Sequence, residues 1–219
     1  MPSVFLLRAR EVALQRSKAD LLACEGWELA GVAQRGEDAL ERITLLQPDV
    51  LLSDQRLLDA PLIRLLVQLA QQRHRLPVLV WSANPDDPAL FESLLLGVRG
   101  FLPDAGQPQA LRAALQSALE GRARLNPGLA RELLRRLGAP RLAPHAAVLR
   151  ENAHNPRGAG AMSMLSVAQQ ALLSLLAHGW LPQEISKAWA VQEHEIEKRL
   201  GQLLRLLPQL LASVNAVPA

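Results

Sequence analysis

Three residues that could do chemistry, Asp54, Arg8 and Ser82, each stand at the end of an apolar run. Such runs are typical of parallel strands that are buried on both faces. Because α/β proteins place their chemistry at the carboxyl ends of their strands, Asp54 is a candidate site residue. An arginine such as Arg8 can pair with a strand-end carboxylate in forked geometry.

Apolar runs alternate with helical patterns along the first 121 residues. The predicted strands cover 4–7, 28–33, 50–53, 78–82 and 100–102, and the predicted helices cover 11–24, 36–47, 60–73, 88–97 and 107–120. Turn-forming residues such as Gly36, Pro77 and Gly121 stand at the boundaries. This alternation is the pattern of a parallel sheet covered by helices, so residues 1–121 are predicted to form an α/β domain.

The rest of the chain is predicted to contain a connector and a helical domain. Residues 122–162 begin with an arginine-rich helix at about 127–137 and then become rich in proline, glycine and asparagine. That composition is typical of a flexible linker, with a domain boundary near 139–161. Residues 163–219 are predicted to form an all-α domain. Its helices are expected at about 166–178, 182–189 and 193–207, the last ended by Pro208.

The order of these elements resembles bacterial response regulators of the LuxR/NarL (FixJ) type. Asp54 ends the third strand, and residues 165–179 with 183–185 are similar without gaps to the apolar skeleton of a LuxR-type helix-turn-helix. The resemblance implies a flavodoxin-like receiver domain with strand order 2-1-3-4-5, joined by a linker to an all-α helix-turn-helix domain. It also implies that Asp54 corresponds to the aspartate that accepts a phosphoryl group.

The pocket around Asp54 departs from the pattern of that family. Phosphorylating an aspartate needs a divalent cation with oxygen ligands, and the family supplies them with two acidic residues after the first strand. Here those positions hold Arg8 and Ala9, and Glu11 lies a helical turn away. Ser82 matches the family's hydroxyl residue, whereas the pocket lysine is replaced by Asp104.

We therefore predict a vestigial phosphoacceptor pocket made of Asp54, Ser82, Arg8 and Asp104, with no metal and no cofactor. Two alternatives remain open at this point: residual phosphorylation of Asp54, and binding of another small ligand or partner. No nucleophile–base arrangement or phosphate-binding loop is recognisable in the sequence. We accordingly do not expect an enzyme.

The third helix of a LuxR-type domain enters the major groove, which makes residues 192–205 the candidate DNA reader. The candidate DNA-binding residues are Lys187, His194, Lys198, Arg199 and Arg205. Glu197 stands where family members usually carry a groove-facing lysine, so its carboxylate is expected to face the phosphates and repel them. The alternative is a solvated surface of Glu–Lys pairs three or four residues apart.

Charge is unevenly distributed along the chain. Residues 1–121 carry 12 basic and 15 acidic residues, residues 122–162 carry 8 arginines and 2 glutamates, and residues 163–219 carry 4 of each sign. Residues 163–219, which contain the candidate DNA reader, therefore carry no net charge. Because DNA affinity follows the number of phosphates neutralised, we expect weak to moderate binding, helped by dimerisation or by the arginines of 122–141.

Other features of the sequence indicate the cellular compartment of the protein. The single cysteine, Cys24, excludes an internal disulfide and is interpreted as a packing residue in a reducing compartment. The N-terminus lacks the features of a signal peptide. No uncharged run reaches the ~18 residues that span a bilayer. These features predict a cytoplasmic protein without membrane association.

Two functions are compatible with these features. One is a phosphorylation-independent transcription regulator that binds DNA as a homodimer, which the family resemblance favours. The other is a protein-interaction adaptor that no longer reads DNA and pairs with another regulator, which the neutral reader favours. A leucine-rich surface on the fourth and fifth helices is expected to support self-association. Its leucines are Leu90, Leu94, Leu95, Leu96, Leu111, Leu115 and Leu119.

Overall fold

The computed structural model of the chain describes residues 1–74, 76–82, 88–103, 108–138 and 164–215. At residues 88–89 and 211–215 it describes the backbone alone. Contacts between residues divide the chain into two units. One comprises Met1–Asn84 and Glu92–Gly121, and the other comprises Pro85–Phe91 and Arg122–Ala219.

Within the described part of residues 1–121, five strands alternate with five helices. The strands are β1 (Ser3–Leu7), β2 (Glu28–Ala33), β3 (Val50–Asp54), β4 (Val78–Trp81) and β5 (Val98–Leu102), and the helices are α1 (Glu11–Leu22), α2 (Gly36–Leu46), α3 (Leu62–Gln71), α4 (Pro88–Leu95) and α5 (Pro108–Leu119). All strand pairs are parallel, in the order β2-β1-β3-β4-β5. The predicted flavodoxin-like fold is confirmed.

The sheet forms because its central strands have no polar face. Residues 4–7 of β1 and 50–52 of β3 are completely buried, as expected for strands covered by helices on both sides. Helices α1 and α5 contribute leucines such as Leu14 and Leu115 to the core on one side of the sheet. Cys24 packs in the same cluster, and burial raises the pKa of its thiol.

The register of the strands brings the candidate pocket residues to one edge of the sheet. Leu7 of β1 pairs with Ser53 of β3, and Asp54 pairs with Trp81 of β4. Arg8, Asp54 and Ser82 are therefore the residues at, or just beyond, the carboxyl ends of three adjacent strands.

The second unit contains four further helices among its described residues. They are α6 (Pro127–Arg136), α7 (Val167–Ala177), α8 (Pro182–Trp189) and α9 (Glu193–Asn215). Asn126 caps α6, and Ser166 with Gln169 forms a capping box at α7. Helix α6 packs against α7, so the arginine-rich helix expected in the connector is part of this unit. The linker predicted near 139–161 lies outside the described residues.

The expected end of the last helix was wrong. Pro208 lies inside α9, which continues to Asn215. Proline removes one N–H donor and its ring crowds the carbonyl four residues earlier, which favours termination. Here Leu203, Leu204, Leu207 and Leu210 on both sides of Pro208 are buried. We attribute the continuation to this apolar packing, which offsets the loss of one hydrogen bond.

Most of the predicted surface leucines of α4 and α5 are buried. Leu90, Leu94, Leu111 and Leu115 are buried, whereas Leu119 is exposed. The number of leucines on these helices therefore does not by itself indicate a dimer surface. Among the described residues, no helix is both long and apolar enough to cross a membrane.

Candidate functional site

An ion pair between Arg8 and Asp54 fills the edge of the sheet. The Nε and Nη2 atoms of Arg8 lie 3.1 Å and 3.0 Å from the same oxygen, Asp54 Oδ1. The backbone N–H of Ala9 donates to the other oxygen, Oδ2, at 2.9 Å. Two guanidinium nitrogens thus converge on one carboxylate oxygen, and the main chain satisfies the second.

The Arg8 side chain is buried, with 3% of its surface exposed. Its Nη1 donates to the hydroxyl of Ser17 on α1 at 2.9 Å, and its guanidinium carbon lies 3.9 Å from the centre of the Trp81 ring. A buried cation is tolerated only when opposite charge and hydrogen bonds replace its hydration. The Asp54 carboxylate, the Ser17 hydroxyl and the aromatic face together provide that replacement.

The residues present do not fit the magnesium site that the family resemblance implies. A fixed cation lies against Asp54, and Ala9 has no ligating side chain. The Glu11 carboxylate accepts hydrogen bonds from Gln15 and Gln34 instead. Among the described residues, no group of three or more His, Cys, Asp or Glu side chains could hold a metal ion.

The other two predicted pocket residues are Ser82 and Asp104. Ser82 is half-buried directly after β4, and its backbone N–H donates to the carbonyl of Leu102 at 2.9 Å. The backbone therefore places Ser82 at the same edge as Asp54. Asp104 lies outside the described residues.

Asp59 has a structural role that the sequence reasoning missed. Its carboxylate accepts hydrogen bonds from the N–H groups of Gly36 and Glu37, at 2.8 Å and 3.2 Å, and so caps α2. Burial alone would raise the pKa of Asp59, but these backbone hydrogen bonds outweigh it and lower the pKa. The available signal was Arg35, which precedes α2 and makes no side-chain cap, so α2 needs a partner from elsewhere.

Helix α9 carries an exposed polar stripe of His194, Lys198, Gln202, Arg205 and Gln209. These residues are spaced by three or four positions and therefore share one face of the helix. The stripe contains cationic and amide side chains but no carboxylate. Lys187 is also exposed, on α8.

Arg199 differs in its contacts from the other candidate DNA-binding residues. Its Nε lies 3.4 Å from Glu195 Oε1, and its guanidinium carbon lies 5.8 Å from the centre of the Trp189 ring. Its side chain is 23% exposed. These contacts join Arg199 to Glu195 on its own helix and to Trp189 on α8.

The expectation that Glu197 faces the DNA phosphates was wrong. Only 4% of its side chain is exposed, and its two oxygens lie 2.6 Å from Arg124 Nε and 3.8 Å from Arg122 Nε. The carboxylate is thus neutralised inside the unit by the segment that precedes α6. Counting charges along the sequence made α9 neutral, whereas its exposed stripe is basic.

Residues 11–116 match the family model of the response regulator receiver domain. The DNA-binding transcriptional activator DevR/DosR of Mycobacterium tuberculosis is 26% identical over 213 residues, which cover 94% of this chain and 88% of that protein. The transcriptional regulatory protein YdfI of Bacillus subtilis is 22% identical over 107 residues, which cover 49% of this chain and 50% of that protein.

Solved structures show the same fold. The signal receiver domain of NarL from Mycobacterium tuberculosis superposes with a TM-score of 0.52 at 22% identity, covering 55% of this chain and 98% of that domain. The receiver domain of the stress response regulator RcsB from Escherichia coli superposes with a TM-score of 0.51 at 20% identity, covering 55% of this chain and 94% of that domain.

Replacing Asp54 by alanine is expected to destabilise the first unit, because it leaves the buried Arg8 guanidinium without its counter-charge. Breaking a buried ion pair costs about 3–5 kcal/mol. Asp54 is 18% exposed, so we expect a smaller loss, of about 2 kcal/mol in the free energy of unfolding. Asp54→Asn is the matched control. It keeps an acceptor oxygen, so its free energy of unfolding should fall by less. Urea denaturation midpoints equal to the wild type in Asp54→Ala and Arg8→Ala would show that the ion pair contributes nothing.

Proposed function

Because the chain is a response regulator with a receiver domain followed by a helix-turn-helix region, we propose that it regulates transcription by binding DNA without a phosphorylation switch. We assign its helix-turn-helix to the LuxR/NarL type. The relative that matches over most of both chains is a DNA-binding transcriptional activator, which supports this role. The proposed role is not enzymatic.

The ion pair between Arg8 and Asp54 is the observation that carries the phosphorylation-independent part of this proposal. A phosphoacceptor carboxylate must be open to the phosphodonor and must share a divalent cation with it. Both oxygens of Asp54 already accept N–H groups of Arg8 and Ala9. A guanidinium is permanently charged, so no change in pH within the physiological range removes it.

The polar stripe of α9 supports the DNA-binding part of the proposal. Lys198 and Arg205 supply the positive charge that attracts phosphates, and Gln202 can hydrogen-bond base edges. Glu197 does not oppose this attraction, because its charge is compensated by Arg122 and Arg124. His194 lies at the start of the same stripe and Lys187 on the preceding helix. We place both at the rim of the DNA contact.

We further propose that the regulator acts as a homodimer through the face formed by α4 and α5. Family resemblance is the main support for this surface. Leu119, at the end of α5, is 39% exposed and is the clearest apolar side chain available on it. A dimer doubles the number of phosphate contacts, which compensates for the small number of cations on each α9.

We expect no phosphorylation of Asp54 by acetyl phosphate in the presence of magnesium, because a guanidinium, and no metal-ligating side chain, lies against the carboxylate. Intact-mass measurement with peptide mapping checks this directly. The Asp54→Asn variant is the control for modification elsewhere in the chain. A magnesium-dependent gain in mass that maps to Asp54 would refute phosphorylation independence.

We expect weak, salt-sensitive DNA binding that depends on the exposed stripe of α9. In fluorescence anisotropy with short double-stranded DNA at low salt, Lys198→Ala and Arg205→Ala should each weaken binding by about tenfold. Arg16→Ala, which removes an exposed arginine of α1, is the matched control and should bind as the wild type does. Arg199→Ala is expected to lower stability instead, because it removes the contacts to Glu195 and Trp189.

Two outcomes of the same titration contradict the assigned surface in different ways. Binding that is indifferent to Lys198 and Arg205 would place the attraction elsewhere, in the arginines of 122–141. No binding at low salt would favour the adaptor, which pairs with another regulator instead of DNA. Glu197→Lys is not expected to tighten binding. It should lower the unfolding midpoint, because it places a third cation against Arg122 and Arg124.

Sedimentation velocity of the untreated protein at tens of micromolar is expected to show a dimer. Leu119→Glu should shift it to a monomer by placing a charge in the proposed contact. Leu58→Glu, which alters a leucine that is 60% exposed in the loop after β3, is the matched control. A wild-type monomer at this concentration would count against the dimer proposal.

A further inference from the structure

Residues 122–124, which precede α6, all contact Glu197 of the candidate reader helix α9. The backbone N–H of Ala123 donates to the carbonyl oxygen of Glu197 at 3.0 Å. On either side of Ala123, Arg122 and Arg124 place their Nε atoms near the two carboxylate oxygens of Glu197. The positive charges of Arg122 and Arg124 are therefore held beside α9.

Arg124 and Glu197 differ sharply in their access to solvent. The Arg124 side chain is 68% exposed, whereas the Glu197 side chain is 4% exposed. Among the described residues, Arg124 makes one hydrogen bond, from Nε to Glu197 Oε1 at 2.6 Å. A guanidinium has five N–H donors, so four remain for a ligand that approaches from solvent.

The arginines of α6 are committed to other partners. Arg135 donates to both oxygens of Glu132 through Nε and Nη2, and Arg136 donates to Glu132 through Nε. These contacts lower the pKa of the Glu132 carboxyl to about 2. Arg131 donates to the carbonyl of Ala177. Arg124 differs from these arginines in that its carboxylate partner, Glu197, lies on α9.

Two guanidinium groups face the Glu197 carboxylate, and that of Arg124 is mostly exposed. A phosphate that approaches α9 can therefore contact Arg124 as well as the cations of the exposed stripe. Arginine suits this role, because its planar fork matches the oxygens of a phosphate.

We propose that Arg124 binds a phosphate of the DNA backbone and that Glu197 holds it beside the reader helix for that purpose. The phosphate contact thus comes from the segment that precedes α6, and not from the helix-turn-helix itself. This inference rests on the proposed DNA-binding function, and it adds a contact residue outside residues 163–219. Such a contact positions the protein on DNA without reading sequence.

The test is the salt dependence of DNA binding by the full chain, with short double-stranded DNA of mixed sequence as the probe. Each phosphate contact contributes about 0.9 to the slope of log affinity against log salt concentration. Arg124→Ala should lower the magnitude of that slope by about 0.9 and weaken binding by about tenfold at low salt. Arg124→Lys should keep the slope, because the charge is retained.

Arg16→Ala is the matched control, since Arg16 is 57% exposed and also lies beside a carboxylate, that of Asp20. Its slope should equal that of the wild type. The unfolding midpoint of Arg124→Ala is measured in parallel. An unchanged slope in Arg124→Ala, with or without a lower midpoint, overturns the inference and leaves the DNA-binding function intact. Absence of wild-type binding at low salt overturns the proposed function itself.

Discussion

A guanidinium buried at the carboxyl edge of a parallel sheet is the constraint around which the first unit is organised. Arg8 has almost no contact with solvent, so its charge requires groups that replace water. Asp54 at the end of β3, Ser17 on α1 and Trp81 at the end of β4 provide them. Each belongs to a different element, so the same contacts that neutralise the charge also link these elements to one another. The Arg8 guanidinium thus supplies the positive charge that lies against the Asp54 carboxylate.

In the second unit the buried charge is negative, and positively charged groups compensate it. Glu197 is a buried carboxylate, and arginines from a separate segment compensate its charge. This arrangement ties residues 122–124 to α9 and removes the carboxylate from the exposed surface. The exposed stripe of α9, which contains Lys198 and Arg205, therefore lacks this carboxylate. Charge compensation in the interior therefore decides what the surface can bind.

Much of the fold and part of the site could be predicted from the sequence. The strict alternation of apolar runs and helical patterns predicts the sheet, and Asp54 with Arg8 at strand ends predicts a shared pocket. The prediction failed at Pro208, where local preference favours a helix end but long-range packing of leucines continues α9. It also missed the cap that Asp59 provides for α2, because the two are brought together only by the folded loop after β3.

The sequence by itself determined the order of elements, the layer structure and the residue types at the strand ends, because these follow from local periodicity and from the geometry of parallel sheets. Only the tertiary structure decided which partner each charged side chain has. Glu197 and Lys198 are neighbours in the chain, yet one is buried against two arginines and the other is exposed. A helix turns by about 100° per residue, so adjacent residues face different surroundings. The segment that supplies the surroundings of Glu197, residues 122–124, is distant in sequence and reaches it only in the folded chain.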